Sequence, residues 1–333
     1  MMPYKPFLVE QPANLLELKQ SLSRMDHKTK IMAGGTDIMP NIKNGLYDLD
    51  RIISLKNISE FKEIACSPTH LKLGSLNTLQ ELATHPSIKT FMPALSEASS
   101  KIASPQIRNV ATVGGNLCLD TRCLYYNQSA LWRKALGYCL KKDGSICHVT
   151  KVGKKCVAAA SNDLATVLLA YNARLSIINH QKNYDIYLRD MYVADGIKNT
   201  SLHHSEVIAS ITINIPTISR GGFFKLRHRN SIDFPLISTA IMCELDTHEH
   251  IYEGALVINA LVAKPRVIDL HEFKGHPFSA QTFHKIAKLA QEKYYPQTNI
   301  CDPAWRKDAI QTAIMRAFAQ AQQPLNLPHL MPT

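Results

Sequence analysis

The period of apolar and polar positions changes several times along the chain. Leu15-Leu-Glu-Leu18, preceded by Asn14, predicts a short helix that Asn14 caps and that runs to about Met25. Lys30-Ile-Met-Ala33 and Arg51-Ile-Ile-Ser-Leu55 are short apolar runs and predict two strands. From about residue 60 short alternating strands and turns take over, clearest in His70-Leu-Lys-Leu-Gly74, with helices near Thr78 to Thr84 and Met92 to Ala103. A helix over Asp163 to Ala170 and strands over Arg174 to Ile178 and Glu206 to Pro216 follow, the last stopped by proline. Ile218-Ser-Arg-Gly-Gly222 reads as a domain joint. Beyond it come a strand over Gly222 to Arg229, an apolar helix or strand around Pro235 to Cys243, and a hairpin across Thr247 to Glu253. Two helices, about Ser279 to Lys293 and Pro303 to Gln322, close the chain; in the second, Ile310, Ile314, Ala317, Phe318 and Ala321 recur at helical spacing and mark a core face.

Length and composition narrow the class. A chain of 333 residues is long enough for two domains, and 45% hydrophobic with 20% charged residues is ordinary for a globular protein. No stretch approaches the roughly 20 apolar residues that cross a bilayer. The N-terminal run MMPYKPFLVEQPANL lacks a signal-peptide core. Together these features predict a cytoplasmic protein whose thiols stay reduced, which disfavours disulfides. The net charge of +11 raises the question of nucleic acid, but no basic stripe interleaved with aromatics and no zinc-finger signature accompanies it. The densest basic region, residues 133 to 156, carries seven Lys or Arg against Asp143 alone. Such charge suits an anionic metal–thiolate centre or an acidic electron carrier, and equally a solvated loop.

That basic region coincides with a cysteine segment. Cys118, Cys123, Cys139, Cys147 and Cys156 are five of the eight cysteines and fall within 39 residues. Just upstream stands Thr112-Val113-Gly114-Gly115-Asn116, and a second Gly-Gly pair lies in Ala33-Gly34-Gly35-Thr36-Asp37. Unhindered backbone N–H groups in such loops can wrap a diphosphate, with Thr or Asn reaching its outer oxygens. Each pair read singly is a tight turn. Neither a G-x-G-x-x-G fingerprint nor a Walker lysine is present. No C-x-x-C occurs, so the zinc-ribbon and bacterial ferredoxin patterns do not fit; zinc, an iron–sulfur cluster and inert buried thiols all remain open from spacing alone. His203-His204 and His248/His250 sit in polar turns without cysteine or carboxylate partners at ligand spacing.

A resemblance covers nearly the whole chain. Ile102-Ala-Ser-Pro-Gln-Ile-Arg-Asn-Val-Ala-Thr-Val-Gly-Gly-Asn-Leu117 resembles the second FAD-diphosphate motif of the molybdenum hydroxylase flavoproteins, the medium subunits of carbon monoxide dehydrogenase, xanthine dehydrogenase and their relatives. Ala33 to Asp37 resembles the first such motif, and Ser161-Asn-Asp163 a later one whose aspartate contacts the flavin nucleotide. Phe223 to Arg229, Ser231 to Phe234, Gly254 to Arg266 and Trp305 to Asp308 are similar to parts of the family's C-terminal domain. The resemblance implies an α+β fold: a two-subdomain, PCMH-type FAD-binding domain over 1–217 (subdomains about 1–57 and 58–217) and a smaller C-terminal α/β domain over 218–333. It implies FAD contacts at Ala33, Gly34, Gly35, Thr36, Asp37, Ile102, Thr112, Val113, Gly114, Gly115, Asn116, Asp163 and Lys225. For Lys225 an exposed strand lysine, and for Ile102 plain core packing, are the simpler alternatives.

Most of the family lacks the cysteine segment, here about 118–158. One type, the β subunit of 4-hydroxybenzoyl-CoA reductase, carries it, and Asn116-Leu-Cys-Leu-Asp-Thr-Arg-Cys-Leu-Tyr-Tyr-Asn-Gln-Ser129 with Trp132-Arg133 is similar to it. By position the resemblance implies a [4Fe–4S] cluster on Cys123, Cys139, Cys147 and Cys156, with Cys118 a structural neighbour. It further implies an electron-transfer subunit that takes electrons from ferredoxin through flavin towards [2Fe–2S] and molybdenum subunits, for reductive dehydroxylation of an aromatic CoA thioester. Two alternatives stay open: a hydroxylase flavin subunit passing electrons outward to NAD or a quinone, and a zinc-stabilised binding or assembly protein without redox work. No nucleic-acid partner and no membrane span are expected.

Overall fold

Three β-sheets organise the computed structural model, which describes residues 5–150, 153–297 and 301–322. Residues 1–4 and 323–333, the outer ends of the two expected domains, lie outside the described residues. The first sheet joins β1 (Leu8–Glu10), β2 (Thr29–Met32) and β3 (Arg51–Ser54), all parallel, with β3 in the centre. Ile52 and Ile53 of β3 are wholly buried, as their unbroken apolar run requires. Asn14 caps the helix Leu15–Ser23, its side chain accepting from the Glu17 N–H, and a short helix, Ile38–Lys43, follows β2.

The second sheet contains β4 (Ile64–Cys66), β5 (His70–Gly74), β6 (Arg174–Ile178), β7 (Asn183–Tyr187) and β8 (Val207–Asn214) in the order β4-β5-β8-β6-β7, antiparallel throughout. Leu71 and Leu73 of β5 face Ile213 and Ile211 of β8, and all four are buried on one side. Over that side lies the helix Asp163–Ala170, none of whose eight residues is exposed. Helices Leu79–Thr84 and Pro93–Ser100 complete the layer.

The third sheet is β9 (Ser219–Leu226), β10 (Ile237–Leu245), β11 (Ile251–Asn259) and β12 (Arg266–Asp269), antiparallel in the order β12-β11-β10-β9. Helices Ala280–Lys293 and Pro303–Ala321 cover one face, and Ile310, Ile314, Ala317, Phe318 and Ala321 are buried there as their spacing predicts. Within the stretch read as a joint, Ser219 to Gly222 form the start of β9. A Cβ on Gly222 would meet the Ala317 carbonyl oxygen at 2.0 Å, so the glycine serves the close approach of strand and helix rather than a flexible connection. The ambiguous run near Pro235 becomes β10. It packs on the helix Asp163–Ala170, where Thr166 Oγ1 and Ser238 Oγ lie 3.2 Å apart in the interior. This contact brings β9 beside the first residue of that helix. No helix of the described residues is long and apolar enough to cross a membrane.

Candidate functional site

The chain leaves β2 through Ala33 and Gly34 into Gly35, whose φ of +75° suits glycine. A Cβ on Gly34 would lie 2.0 Å from the Val110 carbonyl oxygen, so the loop presses directly against the segment that leads to the second Gly-Gly pair. The backbone N–H groups of Gly34, Gly35 and Thr36 have no acceptor among the described residues. Three adjacent N–H groups with no protein partner form an anion cradle.

The second motif is built differently. Instead of a loop it is a helical turn, Val113–Leu117, with Thr112 as cap and Thr112 Oγ1 accepting from the Gly115 N–H at 3.2 Å. Val113 N–H donates to Asn77, Gly114 N–H to Ser75 and Asn116 N–H to Thr112. All four N–H groups of residues 113–116 are therefore engaged within the protein. This corrects the expectation that both glycine pairs offer the same backbone cradle. Val113 and Gly114 are buried behind the cavity wall, where a Gly114 Cβ would meet Ser75 Cβ at 2.8 Å.

The two motifs face each other across a cavity of about 280 Å³. Of the residues expected to hold cofactor, Ala33, Gly34, Gly35, Thr36, Asp37, Ile102, Thr112, Gly115, Asn116, Asp163 and Lys225 line it. Asp163 opens its helix and Lys225 arrives on β9; the two form a buried ion pair of 2.7 Å between Nζ and Oδ2. Lys225 is thus not an exposed strand lysine. Its remaining protons go to the carbonyl oxygens of Lys101 (3.1 Å) and Asp233 (2.9 Å). Asp163 Oδ1 and Ser161 Oγ are buried at the cavity without a partner among the described residues, which leaves polar atoms for a ligand to satisfy. Ile102 sits in a turn held by cations: Arg227 and Lys225 both donate to Lys101 O, and Arg108 donates to Ile102 O. An unpartnered N–H cradle, an apolar wall and orphaned polar atoms fit a diphosphate-bearing aromatic cofactor.

Arg122, Phe234 and Cys118 also line this cavity and were not singled out from sequence as lining it. Arg122 pairs with Asp37, stacks over the Phe234 ring at 4.8 Å, and exchanges backbone hydrogen bonds with Ala159 at 2.8 and 2.9 Å. Those last bonds close the base of the cysteine segment.

Within the segment, helix Ala130–Ala135 and a series of turns bring Cys123, Cys139, Cys147 and Cys156 to the lining of one small cavity. Three of the four are buried and Cys123 is half-buried, whereas Cys118 belongs to the other cavity. Burial raises the Cys123 thiol above its ordinary value, with the neighbouring Cys139 and Cys147 adding to the effect. Cys156 is pushed up to about 11 by burial, beside Cys123 and Cys147. For Cys147 burial is outweighed, and the Thr150 hydroxyl with backbone N–H groups of Val149, Thr150 and Val157 holds the thiol below its ordinary value. Lys141 borders the same cavity, its Nζ bonded to Asp120 (2.7 Å) and Thr121 Oγ1 (2.6 Å). Among the described residues no three metal-ligating side chains close on the position of a single ion. His203 and His250 serve their own turns, bonded to Ser205 and Asp246.

Residues 5–217 match the family described as the FAD binding domain in molybdopterin dehydrogenase. The putative xanthine dehydrogenase FAD-binding subunit XdhB of Escherichia coli is 25% identical over 88% of this chain and 89% of its own length. The nicotinate dehydrogenase FAD-subunit of Eubacterium barkeri is 24% identical over 73% of this chain and 70% of its own. Among solved structures, a chain of the Cu,Mo-CO dehydrogenase superposes with a TM-score of 0.75 at 19% identity, covering 96% of this chain and 99% of that one, so the fold is shared.

Proposed function

Because the chain belongs to the family of FAD-binding domains of molybdopterin dehydrogenases, we propose that it is the flavin subunit of a molybdenum hydroxylase-type complex. In this reading it carries a second redox centre, a [4Fe–4S] cluster on Cys123, Cys139, Cys147 and Cys156. FAD, when bound, joins two-electron chemistry to single-electron carriers. This chain's residues bind and orient it. The Gly34–Thr36 N–H groups receive the diphosphate, Thr112 and Asn116 reach it from the opposite wall, and Asp163 Oδ1 accepts from the nucleotide. Ile102 offers an apolar surface to the flavin from a turn that Lys225, Arg227 and Arg108 immobilise.

The observation that carries the cluster reading is the convergence of four cysteines, spread over 34 residues without a local C-x-x-C motif, on one cavity. Among the described residues the four thiols do not close on the position of a single ion, so the cluster assignment rests on their shared cavity and on the local sequence similarity. The local similarity of residues 116–133 to the β subunit of 4-hydroxybenzoyl-CoA reductase supports the finer assignment. In it electrons pass from ferredoxin through this chain towards [2Fe–2S] and molybdenum subunits, for reductive dehydroxylation of an aromatic CoA thioester. The domain division at 217/218, with subdomains meeting near residue 57, belongs to the same proposal.

The test is anaerobic purification with an absorption spectrum, iron and zinc analysis, and flavin extraction. Flavin with about four irons per chain supports the assignment. Flavin without iron removes the cluster, and failure to take up FAD on reconstitution overturns the whole reading. A second reading, electrons passed outward to NAD or a quinone, draws on the likeness to the xanthine dehydrogenase subunit. It is favoured if the reduced holoprotein is reoxidised by NAD or a quinone and ferredoxin does not reduce it.

A further inference from the structure

We propose that Arg122 is an FAD-binding residue contributed by the cysteine segment, its guanidinium shared between Asp37 and the cofactor's diphosphate. The proposal rests on the FAD reading above. Five charged side chains line the cavity: Asp37, Asp163 and Asp233, against Lys225 and Arg122. Lys225 has no proton left to offer, since Asp163, Lys101 O and Asp233 O take all three. Arg122 does. Its side chain is 12% exposed, and its Nε is buried without a hydrogen-bond partner among the described residues. One Nη meets Asp37 and the guanidinium carbon lies 4.8 Å from the centre of the Phe234 ring, which leaves the Nε–H without a partner among the described residues.

Asp37 makes such a cation necessary. It ends the loop whose N–H groups at 34, 35 and 36 lack acceptors, so a diphosphate in that cradle brings two negative charges beside a carboxylate. Asn41 Nδ2 already donates to Asp37 Oδ2 at 3.1 Å. Without Arg122 the cradle would hold an uncompensated anion next to an anionic ligand. Arg122 also immediately precedes Cys123, so neighbouring residues serve the two cavities. The segment that carries the thiols therefore completes the FAD site.

The test uses the full chain, reconstituted with FAD and titrated by flavin fluorescence. Arg122→Gln should weaken FAD binding about tenfold or more, and Arg122→Lys, which keeps charge but loses the fork, should fall between. Asp37→Asn in the Arg122→Gln background should recover part of the loss, because it removes the uncompensated carboxylate. A structural role for the ion pair predicts the same recovery, so the urea midpoint of the FAD-free chain is read alongside. Affinity lost at an unchanged midpoint supports the proposal, and a midpoint that falls and recovers with affinity overturns it. Unchanged affinity in Arg122→Gln, or no recovery in the double variant, overturns the proposal. Failure of the unaltered chain to bind FAD overturns the FAD reading itself and is recognised before any variant is made.

Discussion

Lys225 on β9 and Asp163 at the start of its helix lie 62 residues apart in sequence and 2.7 Å apart in space, each side chain at most 3% exposed. One carboxylate oxygen is neutralised by the ammonium and the other is left at the cavity proposed for FAD. The pair therefore pins the C-terminal sheet to the cavity wall and, in the proposed reading, orients the nucleotide acceptor with the same contact.

Removing half of this pair strands a buried charge. Lys225→Met should destabilise the chain by about 3–5 kcal/mol, whereas Lys225→Met with Asp163→Leu should recover most of the loss, because an apolar pair replaces the ionic one. Urea unfolding of both variants measures this.

Gly114 acts through packing rather than through its N–H. Gly114→Ala places a methyl against Ser75 Cβ at 2.8 Å and should lower flavin content by displacing the Thr112–Asn116 turn. Ser75→Gly in the same chain removes the nearest opposing atom and should restore part of it. Flavin-to-protein ratios after gel filtration give the outcome, and no restoration would mean that the turn is not held in this way.

The cysteines divide between two cavities, so their variants should divide as well. Cys147→Ser should lose most of the bound iron, and Cys118→Ser, on the flavin cavity, should keep it. Iron analysis of anaerobically prepared protein decides; equal loss in both would redraw the ligand set.

Glu206 ties β7 to the approach of β8. Burial opposes its ionisation, but the His203 N–H, the Tyr184 hydroxyl (2.8 Å) and Asn179 hold its carboxyl below the ordinary value of 4.5. Because the folded value is the lower one, the contribution is complete above the unfolded value and disappears as pH falls through the folded one. Tyr184 has the opposite sense. Burial and Glu206 raise it to about 12, so its contribution is full below 10 and is lost as pH rises through about 12. Glu206→Gln should flatten the stability profile at the acid end, as read from unfolding curves between pH 3 and 6.

Much of the chain's local structure follows from its own residues. The helix Pro303–Ala321 buries the face marked by Ile310, Ile314 and Phe318, Asn14 caps where its side chain can accept, and Asp163–Ala170 is a helix over the span its pattern predicts. Periodicity and capping act within a few residues, so one segment contains all the information they need. The family resemblance likewise rests on short runs, and most of the residues it marks line one cavity.

Other features exist only once distant segments meet. Gly221-Gly222 has the composition of a joint, yet it lies within a strand because a helix almost 100 residues later packs against it. The two Gly-Gly motifs look alike as strings, but only the first keeps N–H groups without an acceptor among the described residues, since Ser75, Asn77 and Thr112 take those of the second. Arg122 is one basic residue among many until its partner Asp37, 85 residues away, gives it a place at the cavity. Sequence by itself determined most of the elements and marked the Gly-Gly motifs and the thiols as candidates. Tertiary structure decided which donors stay available and which charges are matched, because hydrogen bonding and desolvation depend on what is nearby in space rather than along the chain.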